Sequence, residues 1–257
     1  MNARNIETDY GKIFYYLTGT GKPLVFLHGW GQTSETFSGI TPHFEKDFLV
    51  MRVDLPGFGR SSEPLRALRL ADYVAGVQKI FQKENLKSPA VVAHSFGGRV
   101  AICLSEKHPL SALILVSSAG IRRKSIKLFI RIYAYKLKKF FYRIFSYAKY
   151  KRLTERSGSR DYRNASPVMK GTLSKIISED LRRKLKKIKT KAYLLWGIHD
   201  RETPFPDGIL MASLLENSVL IPFYESGHFC YLEEEKKFIR ELKKILSEED
   251  LWKHSET

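Results

Sequence analysis

The sequence predicts an α/β protein with a mostly parallel central sheet, flanked by helices and interrupted by a helical insert before the last two strands. Three observations carry this expectation. Short β-rich runs alternate with stretches of helical periodicity. The later β-rich runs are nearly continuously apolar, as strands covered on both faces are. The charge is also lopsided: residues 121–191 hold 24 of the 44 Lys and Arg but only 4 of the 27 Asp and Glu. The net charge of +17 therefore belongs to a basic insert in an otherwise near-neutral body.

The 257 residues suffice for one sizeable core plus such an insert. Residues 1–120 and 191–257 read as the core, and 121–190 as the helical insert. The β-rich runs are 13–17, 24–27, 48–53, 90–93, 112–116, 192–196 and 219–223. The opening strands, joined by Thr18-Gly19-Thr20-Gly21, are expected to form an antiparallel hairpin at one edge. Residues 70–86 keep Tyr73, Val74, Val77, Ile80 and Phe81 at helical spacing, and residues 98–107 follow the fourth run directly. Residues 231–246 carry Phe238, Ile239, Leu242, Ile245 and Leu246 on one side of a helix. Within the insert, residues 126–150 and 167–189 read as two helical stretches on either side of Ser157-Gly158-Ser159.

Cys103 and Cys230 cannot staple a core of this size, so both are expected to be reduced thiols. The opening residues lack a charged segment followed by an apolar run, and no apolar stretch approaches the ~18–20 residues that span a bilayer. A cytoplasmic location is the matching expectation. No metal cluster, phosphate loop or dinucleotide fingerprint is visible, so no cofactor is expected.

Three segments carry chemistry. In Ala93-His94-Ser95-Phe96-Gly97-Gly98 a strand runs into a helix through Ser95. A strained turn of that kind lifts a serine hydroxyl above the sheet, and needs small neighbours because backbones crowd there. Ala93 stands where a glycine is usual, which makes the segment alone less specific. In Trp196-Gly197-Ile198-His199-Asp200 an acid lies just beyond a buried strand, with Pro204 and Pro206 stiffening the loop after it. Asp54 and Asp180 are rival acids without that setting. Glu225-Ser226-Gly227-His228 places a histidine on a glycine-containing loop after the last strand. His28-Gly29-Trp30-Gly31 adds a glycine-rich loop that can point an N–H towards the serine. His28 and His94 read as structural residues.

Taken together, His28-Gly-Trp-Gly, Asp54-Leu-Pro-Gly-Phe-Gly-Arg-Ser61-Ser62, His94-Ser95-Phe-Gly-Gly, Trp196-Gly-x-x-Asp200 and Gly227-His228 resemble the α/β-hydrolase superfamily. The resemblance covers about residues 10–246, with the insert in the position of the family's cap or lid. It implies a Ser95–Asp200–His228 triad and an oxyanion hole made by the Trp30 and Phe96 amides. It reads Asp54–Ser62 as a structural turn.

The expected chemistry is hydrolysis of a carboxylic ester or related acyl substrate through a Ser95 acyl-enzyme. Carbon–carbon bond hydrolysis, thioester hydrolysis and acyl transfer share the same residues and stay open, as does a non-catalytic ligand-binding scaffold. The expected partner is a small acyl substrate. The basic insert reads either as a solvated lid whose apolar stripe covers the site or as a peripheral contact with an anionic membrane or an anionic substrate, while nucleic acid is disfavoured.

Overall fold

A computed structural model of the chain describes residues 2–122, 142 and 165–249. The expected helix at 126–150 therefore lies outside the described residues. One eight-stranded sheet organises the rest, in the order β1-β2-β4-β3-β5-β6-β7-β8. Its strands are β1 (Asn2–Thr8), β2 (Gly11–Thr18), β3 (Lys22–Leu27), β4 (Phe48–Val53), β5 (Ala90–His94), β6 (Ala112–Val116), β7 (Ala192–Gly197) and β8 (Ser218–Phe223). From β4 to β8 all neighbours pair in parallel, whereas β1 and β2 add an antiparallel margin.

The continuous apolar runs have a direct physical cause. Every residue of β5, β6 and β7 is buried. Successive side chains feed opposite layers: Val91 and Leu113 pack on one side, Val92 and Ile114 on the other. The first layer is covered by α1 (Leu70–Lys83) and α2 (Phe96–Leu104), the second by the late helices described below. Each buried Leu, Ile, Val or Phe contributes on the order of 1.5–3 kcal/mol of transfer free energy.

Three expectations need correction. The Thr18–Gly21 link is not a hairpin, because β4 lies between β2 and β3. Gly19 and Gly21 have φ of +74° and +111°, and a Cβ on either would meet carbonyl oxygens of residues 45–48 within 2.5 Å. The link is glycine-rich because it crosses that backbone closely. The edge hairpin is formed instead by β1 and β2, with Asn2 opposite Leu17 and Thr8 opposite Gly11.

The stretch 167–189 is two pieces, α3 (Pro167–Ser178) and α4 (Arg182–Leu185). Glu179 breaks the helix with an extended ψ of 128°. The Arg99 Nη1 donates to the freed carbonyls of Ile176 and Glu179, at 3.2 and 2.9 Å. The third correction concerns Pro204 and Pro206, which start a helix, α5 (Phe205–Leu214), rather than stiffen a loop. Proline fits a first turn, where its missing N–H costs nothing. The chain closes with α6 (Cys230–Glu233) and α7 (Glu235–Glu248), whose Phe238, Leu242 and Ile245 complete the second layer.

Cys103 and Cys230 are both buried and unbridged. No helix among the described residues is long and apolar enough to cross a membrane.

Two buried histidines fasten strand ends. His28 follows β3, accepts the Leu55 N–H at Nε2 (2.9 Å) and meets the Gly29 carbonyl at Nδ1 (2.7 Å). His94 ends β5 and faces the His228 carbonyl at Nε2, at 3.0 Å. Burial pushes their pKa values down, to about 4 for His28 and about 3 for His94, against 6.5 for a solvated histidine. The unfolded chain therefore binds protons more readily. The stability these groups contribute is complete above about pH 6.5 and is lost as pH falls towards 4 and 3, at about 1.4 kcal/mol per pH unit for each histidine. Urea unfolding midpoints should therefore drop steadily between about pH 7 and pH 5. A midpoint constant over that range would contradict this reading.

Candidate active site

The carboxyl ends of β5, β6, β7 and β8 all open on one edge of the sheet, where open α/β sheets present their ligands. Ser95 is the single residue between β5 and α2, with φ +49° and ψ −108°. A non-glycine residue there carries strain on the order of 1–3 kcal/mol, held only by its surroundings. The holding contacts are specific. Ser95 N donates to the Val116 carbonyl at 3.0 Å, and the Ser95 carbonyl accepts from Gly98 N at 3.1 Å and Ala119 N at 3.0 Å. A Cβ on Gly97 would lie 2.4 Å from the Leu27 carbonyl oxygen, and one on Gly98 would lie 2.0 Å from Ser118 Oγ. Ala93 is fully buried in β5.

Phe96 N is the first amide of α2, in the turn whose N–H groups lack intrahelical partners. The Trp30 loop sits against it: the Trp30 and Phe96 rings meet edge to face, 5.4 Å between centroids, and Phe58 packs on both. Gln32 shapes that loop by accepting the Gly29 N–H at Oε1, at 3.0 Å.

Asp200 and His228 come together from adjacent strands. Asp200 follows β7, His228 follows β8, and His228 Nδ1 lies 2.8 Å from Asp200 Oδ2. The two loops touch so closely that a Cβ on Gly197 would lie 2.0 Å from the Gly227 carbonyl oxygen. The other oxygen of the carboxylate, Oδ1, accepts from the backbone N–H groups of Glu202 (2.8 Å) and Thr203 (2.9 Å). Thr203 Oγ1 lies 2.8 Å from Oδ2. Burial of Asp200 raises its pKa, but hydrogen bonds from His228 and Thr203 outweigh burial and hold it below the usual carboxylate range.

The His228 loop is braced from behind. The Glu233 carboxylate accepts Gly227 N at 2.6 Å and Phe229 N at 3.1 Å, on both flanks of the histidine. Glu234 accepts Glu225 N and Ser226 Oγ. His94 stacks on the His228 ring at 4.8 Å, in the packing role expected of it. The outer nitrogen, Nε2, lies 3.4 Å from the Glu202 carboxylate.

The rival acids are occupied elsewhere. Asp54 is buried and clamps its own turn through Ser34 N and Arg60 N. Asp180 accepts Arg182 N at the start of α4. Thr203, Glu233 and Gln32 escaped the sequence reading. Their only sequence signal is a polar side chain three residues after Asp200, five after His228 and two after Trp30.

Two cavities flank the region. One of about 440 Å³ is lined by Trp30, Gly57, Phe58 and Met169 among others, and one of about 240 Å³ by Arg99, Ser118, Glu202 and Thr203 among others.

The chain is similar to known proteins over most of its length. The sequence model of the alpha/beta hydrolase fold matches residues 22–235. The chain is 27% identical to the AB hydrolase superfamily protein YisY of Bacillus subtilis, over 89% of this chain and 93% of that protein. It is also 27% identical to the pimeloyl-[acyl-carrier protein] methyl ester esterase of Chromobacterium violaceum, over 90% of this chain and 96% of that one. The solved esterase EaEST from Exiguobacterium antarcticum superposes with a TM-score of 0.72 at 23% identity, covering 92% of this chain and 96% of the other. The chain belongs to the α/β-hydrolase fold family.

Proposed function

We propose that this hydrolase cleaves a carboxylic ester or related acyl substrate through a covalent Ser95 intermediate. Two observations carry the reading: the 2.8 Å contact of His228 Nδ1 with Asp200 Oδ2, and the strained backbone of Ser95 at a helix start. In this reading Ser95 Oγ attacks the carbonyl carbon while His228 Nε2 takes its proton. Asp200 keeps the imidazole in the tautomer with Nδ1 protonated and stabilises its charged form. The Trp30 and Phe96 amides bind the oxyanion. The protonated His228 gives its proton to the departing alcohol oxygen. Water then attacks the acyl-enzyme, with His228 again as base, and releases the acid and free Ser95. A full-length relative named as a methyl ester esterase agrees with the ester assignment.

The basic insert adds a second element. Arg183, Lys186 and Lys187 are exposed on or just after α4 and form no ion pair among the described residues. They belong to the 24 Lys and Arg of residues 121–191, which favour contact with an anionic surface that draws such segments with about 1 kcal/mol per residue.

Two measurements test these readings. Hydrolysis of p-nitrophenyl esters from acetate to palmitate should fall about 10⁶-fold in Ser95→Ala and in His228→Ala, and about 10⁴-fold in Asp200→Asn. Turnover that survives Ser95→Ala would exclude the acyl-enzyme. Sedimentation with vesicles should show binding to anionic and not to neutral lipid, weakening as salt rises. Equal behaviour with both lipids would remove the surface contact.

A further inference from the structure

Among the described residues, Thr203 is the one side chain within hydrogen-bond range of both Asp200 and His228 that the mechanism above leaves unused. Its Oγ1 lies 2.8 Å from Asp200 Oδ2, 2.9 Å from the Ser117 carbonyl oxygen and 3.3 Å from His228 Nδ1. A hydroxyl has one proton and two acceptor lone pairs. Two of its three neighbours, the Asp200 carboxylate and the Ser117 carbonyl, are pure acceptors, so the single proton can serve only one at a time.

The Ser117 carbonyl is not there by accident of a relaxed loop. Ser117 follows β6 with φ +41°, a left-handed conformation for a non-glycine residue. Its N–H is fixed to the Leu195 carbonyl at 3.0 Å. Two residues on, Ala119 N holds the Ser95 carbonyl at 3.0 Å. The strained turn after β6 thus ties the serine turn to the acid loop through Thr203.

We infer that Thr203 is a positioning residue of the catalytic dyad whose hydroxyl proton alternates between Asp200 Oδ2 and the Ser117 carbonyl as the charge on His228 changes. The inference rests on the Ser95–Asp200–His228 reading. With His228 neutral, the carboxylate carries its full charge, and the hydroxyl donates to Oδ2. When His228 takes the Ser95 proton, its positive charge draws on Oδ2. The hydroxyl then turns to the Ser117 carbonyl and presents a lone pair to the Nδ1–H. No bond to carbon or nitrogen is made or broken in this rotation, and the hydroxyl keeps its own proton throughout. The dyad keeps a matched donor or acceptor at Oδ2 and Nδ1 in both charge states. That is the preorganisation a buried, charge-changing pair needs.

The test uses the whole chain and p-nitrophenyl acetate. Thr203→Val removes the hydroxyl at nearly constant volume, and Thr203→Ala removes it should the valine variant fail to fold. Ser95→Ala and His228→Ala run beside them. Both hydroxyl-free variants should lose about tenfold in kcat at nearly unchanged KM, the lower end of what a hydrogen bond to a charged group sustains. The fluorophosphonate reaction rate should fall in parallel, since it too needs Ser95 deprotonated by His228. Thr203→Ser, which keeps the hydroxyl, should recover to within about twofold of the wild type.

Three results would overturn the inference. One is wild-type kcat in a folded Thr203→Val or Thr203→Ala while Ser95→Ala is dead, which leaves the triad reading standing. Another is a loss confined to KM, which would make Thr203 only a wall of the 240 Å³ cavity it lines. The last is a Thr203→Ser variant as impaired as Thr203→Val. Activity surviving in Ser95→Ala would remove the triad reading itself, and this inference with it.

Discussion

The left-handed backbone at Ser95 is the constraint on which the rest of this molecule depends. A serine at φ +49° does not hold that conformation alone. It is held by a donor and two acceptor contacts to Val116, Gly98 and Ala119. Those contacts exist only if β5 and β6 lie side by side in parallel, with α2 starting at once. The close approach of α2 to the end of β3 then excludes any side chain at Gly97, whose Cβ would meet the Leu27 and His28 carbonyls. The buried strands thus do more than fill a core. They supply the rigidity that keeps one hydroxyl in an unfavourable turn above the sheet.

The other two residues of the site arrive by the same logic from the neighbouring strands. β7 and β8 are adjacent, so the loops after them meet, and glycine at 197 lets the two backbones touch. Burial alone would favour a neutral Asp200. The donors gathered around it, namely the Glu202 and Thr203 amides, the Thr203 hydroxyl and His228 Nδ1, reverse that balance. Glu233 and Glu234 do the equivalent for the histidine loop by accepting backbone N–H groups on both sides of His228. Charge on Asp200 is therefore held first by His228 and then by the Thr203 hydroxyl and backbone amides.

Most of the sheet was legible because its strands are buried on both faces, and short apolar runs such as Ala112–Val116, bounded by turn residues, fit such strands. β1 was not legible. Asn2–Thr8 is an exposed margin with polar side chains, so no periodicity marks it, and its register is set by pairing with β2. The misread hairpin has a related cause, since glycines at 19 and 21 signal close backbone approach as well as a turn, and only the sheet order tells which. The break between α3 and α4 depends on Arg99, 80 residues away from Glu179, which no local pattern contains. The acid and histidine could be placed from their position after strands. Thr203 could not, because its role comes from a carbonyl on β6's exit that is distant in sequence.

The site of covalent modification tests the role of Ser95 most directly. The folded protein would be treated with a fluorophosphonate, digested and mapped by mass spectrometry, beside His228→Ala. One adduct is expected, on the peptide bearing Ser95, forming orders of magnitude more slowly without His228. A folded wild type that stays unmodified, or an adduct on another residue, would contradict it.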